Sequence, residues 1–167
     1  MCSSDLGDGI SWTTQSAPDS LYTDTKGVAW TGSEFVLVGD KTAGAGTVAT
    51  SSDGVVWTRR NWTASTAADT VNAVGYGGGK LMVGTLAGAL AYSVDGGVTW
   101  TAETQSQIQQ FKGFAGNSTT RVAVGSNASN QGVILVDNGS GWALASGVVG
   151  IVPRAVVWTG TQFVAVG

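Results

Sequence analysis

The sequence contains no histidine among its 167 residues, and Cys2 is its only cysteine. The missing imidazole removes the commonest general base and the commonest metal ligand. A single cysteine can form no internal disulfide. We therefore expect no metal site and no cofactor, and we favour a protein that is not an enzyme while leaving an enzymatic role open.

Charge is also scarce. Charged residues make up 11% of the chain, the net charge is −3, and Arg59-Arg60 is the only pair of adjacent basic residues. Nucleic-acid binding would require a basic patch, so we expect none. Apolar runs stay short of the roughly 18 residues that predict a membrane span. The sequence therefore excludes two large classes of partner.

The chain has 2 prolines and 26 glycines. Glycine adopts positive φ without steric cost, so this composition indicates many tight turns. The remaining sequence is rich in Val, Thr, Ala, Ser and Trp, and several of these residue types favour strands. An all-β fold is predicted.

The first six residues, Met-Cys-Ser-Ser-Asp-Leu, are what the end of a widely used sequencing adapter encodes when its first codon is read as a start. We expect residues 1–6 to be non-native and leave them out of the fold. A native amino terminus is the alternative. Residues 7–167 then form one partial domain.

A repeat runs through the rest of the chain. Four tryptophans follow Asp-Gly or Asp-x-Gly turns, at successive spacings of 45, 43 and 42 residues. A Val-Gly pair closes a strand in each unit. The segment 30–39, Trp-Thr-Gly-Ser-Glu-Phe-Val-Leu-Val-Gly, returns as Trp-Thr-Gly-Thr-Gln-Phe-Val-Ala-Val-Gly at 158–167. Each unit is predicted to contain four short strands.

Four strands in about 40–45 residues, repeated, are typical of a β-propeller of four-stranded antiparallel blades. We predict three complete blades at about 27–61, 71–104 and 109–148, with half blades at 7–16 and 152–167. The fourth strands are placed at 55–59, 98–102 and 142–145, preceded by a lone fourth strand at 9–14. The repeated tryptophans should fill the space between blades. A closed four-bladed ring is the alternative, and a longer parent of six to eight blades is preferred.

The turns resemble the Asp-box (BNR) repeat of the sialidase-like superfamily. This repeat occurs in sialidases, xyloglucanases, plant photosystem assembly factors and bacterial or phage surface proteins. The full match is Ser93, Asp95, Gly97, Thr99 and Trp100. Shortened matches are Ser51, Asp53, Gly54 and Trp57, and Asp8 with Trp12. A degenerate match keeps Asp137 and Trp142, with Leu135 where the serine is expected. The resemblance implies the fold and a structural role for these residues.

The resemblance carries little about function, because unrelated chemistries share this fold. Sialidases in the family gather three arginines around the substrate, and the arginines here are Arg59, Arg60, Arg121 and Arg154. No segment matches the arginine motif of that family. Other glycosidases need two nearby carboxylates, for which Asp40, Asp69 and Glu103 are candidates by composition. No catalytic residue is assigned.

Propeller topology predicts a ligand face made by the loops opposite the Asp turns. Its candidate residues are Asp40, Lys41, Arg59, Arg60, Trp62, Gln107, Asn127 and Asn130. Trp62 is the tryptophan of this set, and the alternative for it is a ring folded back over the blade edge. We expect a non-catalytic binding or scaffold propeller for a glycan or protein, extracellular or on a cell surface or virion rather than cytoplasmic. The second hypothesis is a glycoside hydrolase fragment whose catalytic residues lie in missing blades.

Overall fold

The computed structural model describes residues 2–5, 9–15, 24–40, 46–62, 69–145 and 150–167. These residues contain strands, turns and bends. The strands are β1 (Cys2–Asp5), β2 (Trp12–Gln15), β3 (Asp24–Trp30), β4 (Phe35–Asp40), β5 (Gly46–Ser51), β6 (Thr58–Arg60), β7 (Val71–Gly77), β8 (Lys80–Thr85), β9 (Leu90–Ser93), β10 (Thr101–Glu103), β11 (Gln110–Gly116), β12 (Arg121–Ser126), β13 (Gly132–Asp137), β14 (Ala143–Leu144), β15 (Ala155–Trp158) and β16 (Phe163–Val166).

Twelve of these strands form three four-stranded antiparallel sheets in chain order, which we call blade 1 (β3–β6), blade 2 (β7–β10) and blade 3 (β11–β14). Two-stranded sheets, β1–β2 and β15–β16, flank them. The first strands contact one another in series, from β3 to β7 to β11 to β15, and so lie at the centre of the arc. The predicted partial propeller is confirmed. The flanking hairpins are separate sheets, so the alternative closed ring is not formed here.

A bulge in the first strand gives the blades a common register. It falls between Thr25 and Gly27 in β3, and at the corresponding places in β7 and β11. Aligned on this bulge, Phe35, Leu81 and Arg121 are equivalent residues at or next to the start of the second strands. Their partners across the ladder to the third strand are Ser51, Ser93 and Asp137, respectively.

The centre of the arc is packed backbone against backbone. A Cβ added to Gly77 would lie 2.3 Å from the Cα of Gly116, and one added to Gly75 would lie 2.5 Å from the carbonyl oxygen of Phe114. The amide of Gly78 donates to the carbonyl of Asn117 at 2.6 Å. Only glycine allows neighbouring inner strands to approach this closely.

Two apolar clusters fill the spaces between blades. Seam 1–2 lies between blades 1 and 2 and seam 2–3 between blades 2 and 3. The buried residues of seam 1–2 are Val36, Val38, Val48, Val71, Val74, Leu81, Val83 and Ala91. Those of seam 2–3 are Ala73, Met82, Leu90, Ile108, Phe111, Phe114, Ala123, Val133 and Leu135. Each blade can bury a face only against its neighbour, as in other repeat proteins.

The tryptophan prediction holds for two of the four repeats. Trp100 packs on seam 1–2 and Trp142 on seam 2–3, both partly buried and both from the fourth-strand side of the later blade. Trp12 is 62% exposed. Its indole donates to Gly9 O at 3.3 Å, as that of Trp57 does to Gly54 O at 3.2 Å. In the shortened turns the ring is thus tied to its own hairpin.

Two predicted boundaries are wrong. In the three complete blades the fourth strands begin after the tryptophans, because the residues before each ring belong to the turn. The strand predicted to stand alone at 9–14 is Trp12–Gln15, and it pairs with Cys2–Asp5. Gly9 at φ 70° allows the chain to reverse there, as Gly54 does at φ 73°. Residues 2–5, which we expected to leave out of the fold, are therefore paired with β2 in a two-stranded sheet.

Candidate functional site

A groove opens on the loop face between blades 2 and 3, with a cavity volume of about 320 Å³. One wall is the connection from β10 to β11, and the other is the turn from β12 to β13. The lining residues are Ser106, Gln107, Gln109, Asn127, Ala128, Ser129, Val133 and Leu144. We call this cavity the loop-face groove. Its wall consists of amides, hydroxyls and aliphatic groups and carries no charged side chain.

The first wall is held by one glutamine. The Gln105 side chain accepts the amide of Ile108 at 2.7 Å and donates to the carbonyls of Gly88 and Ile108 at 3.0 and 2.8 Å. Ile108 is fully buried in seam 2–3. This anchoring leaves Gln107 and Gln109 exposed on either side of a fixed point. Residues 105–109 belong to a loop on the predicted ligand face, and the bond from the Ile108 amide to the Gln105 side chain is what fixes that loop.

The second wall is a turn built by Asn127. Its Oδ1 accepts the amides of Ser129 and Gln131 at 3.0 and 2.9 Å, and its Nδ2 donates to the Gln131 side chain. Asn130 takes a left-handed φ of 57°, which asparagine tolerates. Both predicted asparagines therefore shape the groove. The polar side chains that the groove presents beside them are those of Gln107, Gln109 and Ser129.

The other predicted ligand-face residues lie elsewhere. Asp40 belongs to blade 1, with its Oδ2 3.9 Å from the Lys26 ammonium, and Arg59 is exposed on β6. Lys41 lies outside the described residues. Of the predicted set, Gln107 and Asn127 line the groove together, and Asn130 lies in the turn beside them.

Arg60 and Trp62 turn into seam 1–2, which corrects their predicted place on the ligand face. The Arg60 side chain donates to Thr50 Oγ1 at 2.9 Å and lies 3.8 Å from the Glu34 carboxylate. The Trp62 ring meets the Trp100 ring edge-on, with centroids 5.1 Å apart. Arg60 and Trp62 are two positions apart on an extended segment, so both side chains lie on the same side of the chain and face the neighbouring blade. The Trp62 ring therefore contacts blade 2 and does not fold back over the edge of its own blade.

The turns between third and fourth strands are organised by a serine and an aspartate. Ser93 Oγ accepts the Gly97 amide at 2.8 Å and donates to Asp95 Oδ1 at 2.7 Å. Asp95 accepts the Thr99 amide and hydroxyl at 2.9 and 2.6 Å. Hydrogen bonds from Thr99 and Ser93 lower the pKa of Asp95 to about 2.

The shorter turn of blade 1 works in the same way. Ser51 Oγ accepts the Gly54 amide and donates to Asp53, each at 2.9 Å. Asp53 accepts the amides of Val55 and Val56 at 2.8 and 2.9 Å, and these bonds, with that from Ser51, lower its pKa. Asp8, predicted to begin a third such turn, lies outside the described residues.

In blade 3 the sequence alignment of the turn is wrong by two residues. Asp137, predicted to match Asp95, occupies the register of Ser51 and Ser93 opposite Arg121. Its Oδ1 accepts the amides of Gly139 and Gly141 at 2.8 and 2.9 Å, which is the part that the serine hydroxyl plays elsewhere. Leu135, expected at the serine position, is buried in seam 2–3. The constant Asp-to-Trp pattern hid this shift, because the blade 3 turn is shorter.

A buried ionic cluster results from this exchange. Arg121, only 5% exposed, donates to Asp137 Oδ2 through Nε at 3.0 Å and also through its terminal nitrogen. It donates to Glu103 of blade 2 through two nitrogens at 3.0 and 2.8 Å. The Trp142 indole donates to the same carboxylate at 2.8 Å, and Lys80 lies 3.6 Å from it. We call Arg121, Glu103, Asp137, Lys80 and Trp142 the ionic cluster.

Burial and pairing oppose each other in the ionic cluster. Burial alone would raise the pKa of Glu103 and of Asp137, but hydrogen bonds lower both, from Arg121 and Trp142 to Glu103 and from Gly139, Arg121 and Gly141 to Asp137. Burial would lower the pKa of Arg121, and its two carboxylate partners raise it instead. All three groups are therefore held in their charged forms. The cluster is a structural bridge between blades 2 and 3.

Within the described ranges, no group of three or more acidic or cysteine side chains is arranged to hold a metal ion. The same part of the chain contains no helix of the length and apolarity needed to cross a bilayer. The loop-face groove is the candidate binding site that we consider, because predicted ligand-face residues line it.

Three four-stranded sheets whose first strands contact one another in series define a partial β-propeller. Solved structures of similar fold include YCF48 bound to a D1 peptide, with a TM-score of 0.67 and 17% identity over 89% of this chain. Another is YCF48 from Cyanidioschyzon merolae, with a TM-score of 0.51, 16% identity and the same coverage. The chain spans about half the length of these neighbours, 47% and 50%. Comparison with family models and with curated proteins finds no match. The likeness shows the propeller fold, and the Asp-box resemblance stays a prediction.

Proposed function

We propose that the chain is a non-catalytic binding propeller whose loop-face groove takes an extended, uncharged segment of another protein. The observation that carries this proposal is the chemistry of the groove wall. Gln107, Gln109 and Ser129 offer hydrogen-bond donors and acceptors without charge, beside the aliphatic side chains of Val133 and Leu144. A peptide backbone presents alternating amides and carbonyls, and its small side chains need apolar surface.

The size and the anchoring of the groove favour this ligand. A volume of about 320 Å³ lies at the lower end of the range of small-ligand sites. Because Gln105 and Asn127 fix both walls by hydrogen bonds, ordering of the loops costs little on binding. The fold neighbour YCF48 was solved with a bound peptide, which supports a polypeptide ligand here.

A glycan is less well supported. Sugar sites commonly use an exposed aromatic face, and Trp62, the tryptophan predicted on the ligand face, packs against Trp100 in seam 1–2. The hydrolase alternative would need free paired carboxylates, whereas Glu103 binds Arg121 and Asp69 accepts the Ala87 amide at 3.2 Å. The peptide proposal therefore uses the exposed chemistry of the groove.

The test is an array of uncharged decapeptides and, in parallel, a glycan array, both probed with the whole chain. We expect peptide binding that weakens at least tenfold on Leu144→Asp, because the new charge would lie in the apolar part of the groove. Val98→Asp is the matched control, since Val98 is 56% exposed against 61% for Leu144 but lies in an Asp turn on the opposite face. Glycan binding alone, or equal binding by both variants, would contradict the proposal.

A further inference from the structure

A second cavity opens on the Asp-turn side of the propeller, between blades 1 and 2, and we call it the turn-face cleft. Its volume is about 240 Å³. The lining residues are Thr31, Ser33, Glu34, Tyr76, Gly79, Leu81, Ser93, Val94, Asp95 and Gly96. They lie in or beside the β3–β4 and β7–β8 turns and the turn after β9, so the cleft is at the opposite end of the sheets from the loop-face groove. The peptide site proposed above does not include it.

Two carboxylates line the cleft, one from each blade. A Cβ added to Gly96 would lie 3.0 Å from Glu34 Oε2, so this carboxylate of blade 1 reaches the turn of blade 2. The Arg60 guanidinium is 3.8 Å from Glu34 Oε1, which is beyond hydrogen-bond distance. Across the cleft, the hydrogen bonds of the turn lower the pKa of Asp95 to about 2, so Asp95 is ionised at neutral pH. The two carboxylates thus outnumber the one cation beside them.

In seam 2–3 the equivalent place is filled by a guanidinium. The bulge register makes Leu81 equivalent to Arg121, and Ser93 equivalent to Asp137. Arg121 is 5% exposed and donates to Asp137 of its own blade and to Glu103 of the preceding one. Leu81 brings no charge to the same position, and there the cleft is open. The fold therefore already shows which group fits between two blades at this height.

The ion pair beside this place is reversed between the two seams. Glu34 is equivalent to Lys80, and Arg60 is equivalent to Glu103. In seam 2–3 the carboxylate of Glu103 has Lys80 at 3.6 Å and also receives a guanidinium from the next blade. In seam 1–2 the carboxylate of Glu34 has Arg60, and the next blade offers Leu81 instead of a guanidinium. Within the described residues, Glu34 thus lacks the second cationic partner that Glu103 has.

We propose that the turn-face cleft binds the arginine side chain of a partner polypeptide, whose guanidinium takes the place that Arg121 fills in seam 2–3. Glu34 accepts its N–H groups, and the ring of Tyr76, 37% exposed, lies along its planar face. Guanidinium groups suit both contacts better than ammonium groups, because they are planar and weakly hydrated. A volume of about 240 Å³ is below the range of whole small-ligand sites and so suits a single side chain.

The first test compares a capped glycine–arginine–glycine tripeptide with its citrulline counterpart, in which a neutral ureido group replaces the guanidinium. Both are titrated into the whole chain, and binding is followed by the backbone amide shifts in ¹H–¹⁵N spectra. We expect the arginine tripeptide to bind about tenfold more tightly, since hydrogen bonds between charged groups are stronger than neutral ones. The amides of Ser33 and Gly96 should shift most.

The second test assigns the binding to the cleft. Glu34→Gln should weaken binding of the arginine tripeptide about tenfold, and Tyr76→Leu about two- to fivefold. Asp24→Asn is the matched control, because it removes the same charge from the opposite end of the β3–β4 hairpin, where the Asp24 side chain is 60% exposed. It should leave binding unchanged. Far-ultraviolet circular dichroism checks that each variant keeps its strands.

The proposal is wrong if the citrulline tripeptide, or a lysine tripeptide of the same length, binds as tightly as the arginine one. It is also wrong if Asp24→Asn weakens binding as much as Glu34→Gln, or if the shifts fall on Gln107 and Ser129 of the loop-face groove. Absence of binding at millimolar peptide contradicts it as well. The citrulline comparison and Tyr76→Leu keep the test decisive if Glu34→Gln does not fold.

Discussion

Seam 1–2 and seam 2–3 occupy equivalent places in the propeller but solve the same packing problem with different chemistry. In seam 1–2 the residue equivalent to Arg121 is Leu81 near the start of β8, which is 1% exposed and faces the apolar cluster, with Ser93 opposite it. In seam 2–3 the same position is Arg121, with Asp137 opposite it. Where blade 2 has leucine paired with serine, blade 3 has arginine paired with aspartate. The comparison indicates that the two residues of this cross-strand pair differ together from one blade to the next.

The exchange also changes how each seam is tied together. Seam 1–2 is closed at its outer edge by the Trp62–Trp100 ring contact. Seam 2–3 is closed by Glu103 of blade 2, which receives both Arg121 and the Trp142 indole of blade 3. Apolar contacts tolerate small shifts, whereas buried ion pairs fix one geometry and leave an uncompensated charge when broken.

The largest expected effect comes from breaking the ionic cluster at its centre. Arg121→Leu should lower the free energy of unfolding by about 3–5 kcal/mol, because Asp137 stays buried without its partner. The urea midpoint, followed by tryptophan fluorescence, measures the loss.

Adding Asp137→Ser should convert seam 2–3 to the Leu–Ser solution of seam 1–2 and recover more than half of the lost stability. The serine can accept the turn amides that Asp137 now accepts. If the changes in the free energy of unfolding caused by Arg121→Leu and Asp137→Ser simply add in the double variant, the two residues of the pair act independently and this interpretation is wrong.

A smaller effect separates the two seam tryptophans. The Trp142 indole donates to a carboxylate at 2.8 Å, whereas the buried Trp100 indole nitrogen has no hydrogen-bond partner among the described residues. Hydrogen bonds to charged groups contribute about 1.5–3 kcal/mol. Trp142→Phe should therefore cost about 1–2 kcal/mol more than Trp100→Phe, which removes a similar ring volume. Equal losses in chemical denaturation would show that the indole bond contributes nothing.

The smallest expected effect is a pH dependence confined to an exposed turn. The pKa of Asp95 is lowered to about 2 by Thr99 and Ser93. An aspartate whose folded pKa is depressed stabilises the fold above its unfolded pKa, near 4, and this contribution is lost as pH falls towards 2. Asp95→Asn should flatten the melting temperature between pH 4 and pH 2, and Thr99→Val should flatten it partly. An unchanged slope in Asp95→Asn would contradict this assignment.

The repeat made the fold predictable, because a blade pattern that recurs three times leaves few alternatives for strand order and direction. The predicted four antiparallel strands per blade are confirmed in all three complete blades. The fourth strands were predicted too early, since valines at 55 and 56 look like strand residues but donate their amides to Asp53. The hydrogen bonds from these amides to the Asp53 side chain outweigh the strand propensity of the two valines.

The ionic cluster was not predicted, and the reason is instructive. The sequence was aligned on Asp137 and Trp142, whereas the ladder aligns blade 3 on Arg121. A charged residue at the start of an apolar strand, where other repeats have Phe35 and Phe163, was the available signal. Such a residue needs a partner across the ladder. The packing of Trp62, in contrast, depends on the neighbouring blade and has no local signature.

The contact between Gly77 and Gly116 brings the first strands of blades 2 and 3 together backbone against backbone. With no side chain between them, the inner strands meet at the shortest spacing that a backbone allows, and the outer strands spread by comparison. A methyl group at either glycine would act as a wedge at the hub and reduce the fan angle per blade. These two residues therefore limit how far apart blades 2 and 3 lie at the centre of the arc.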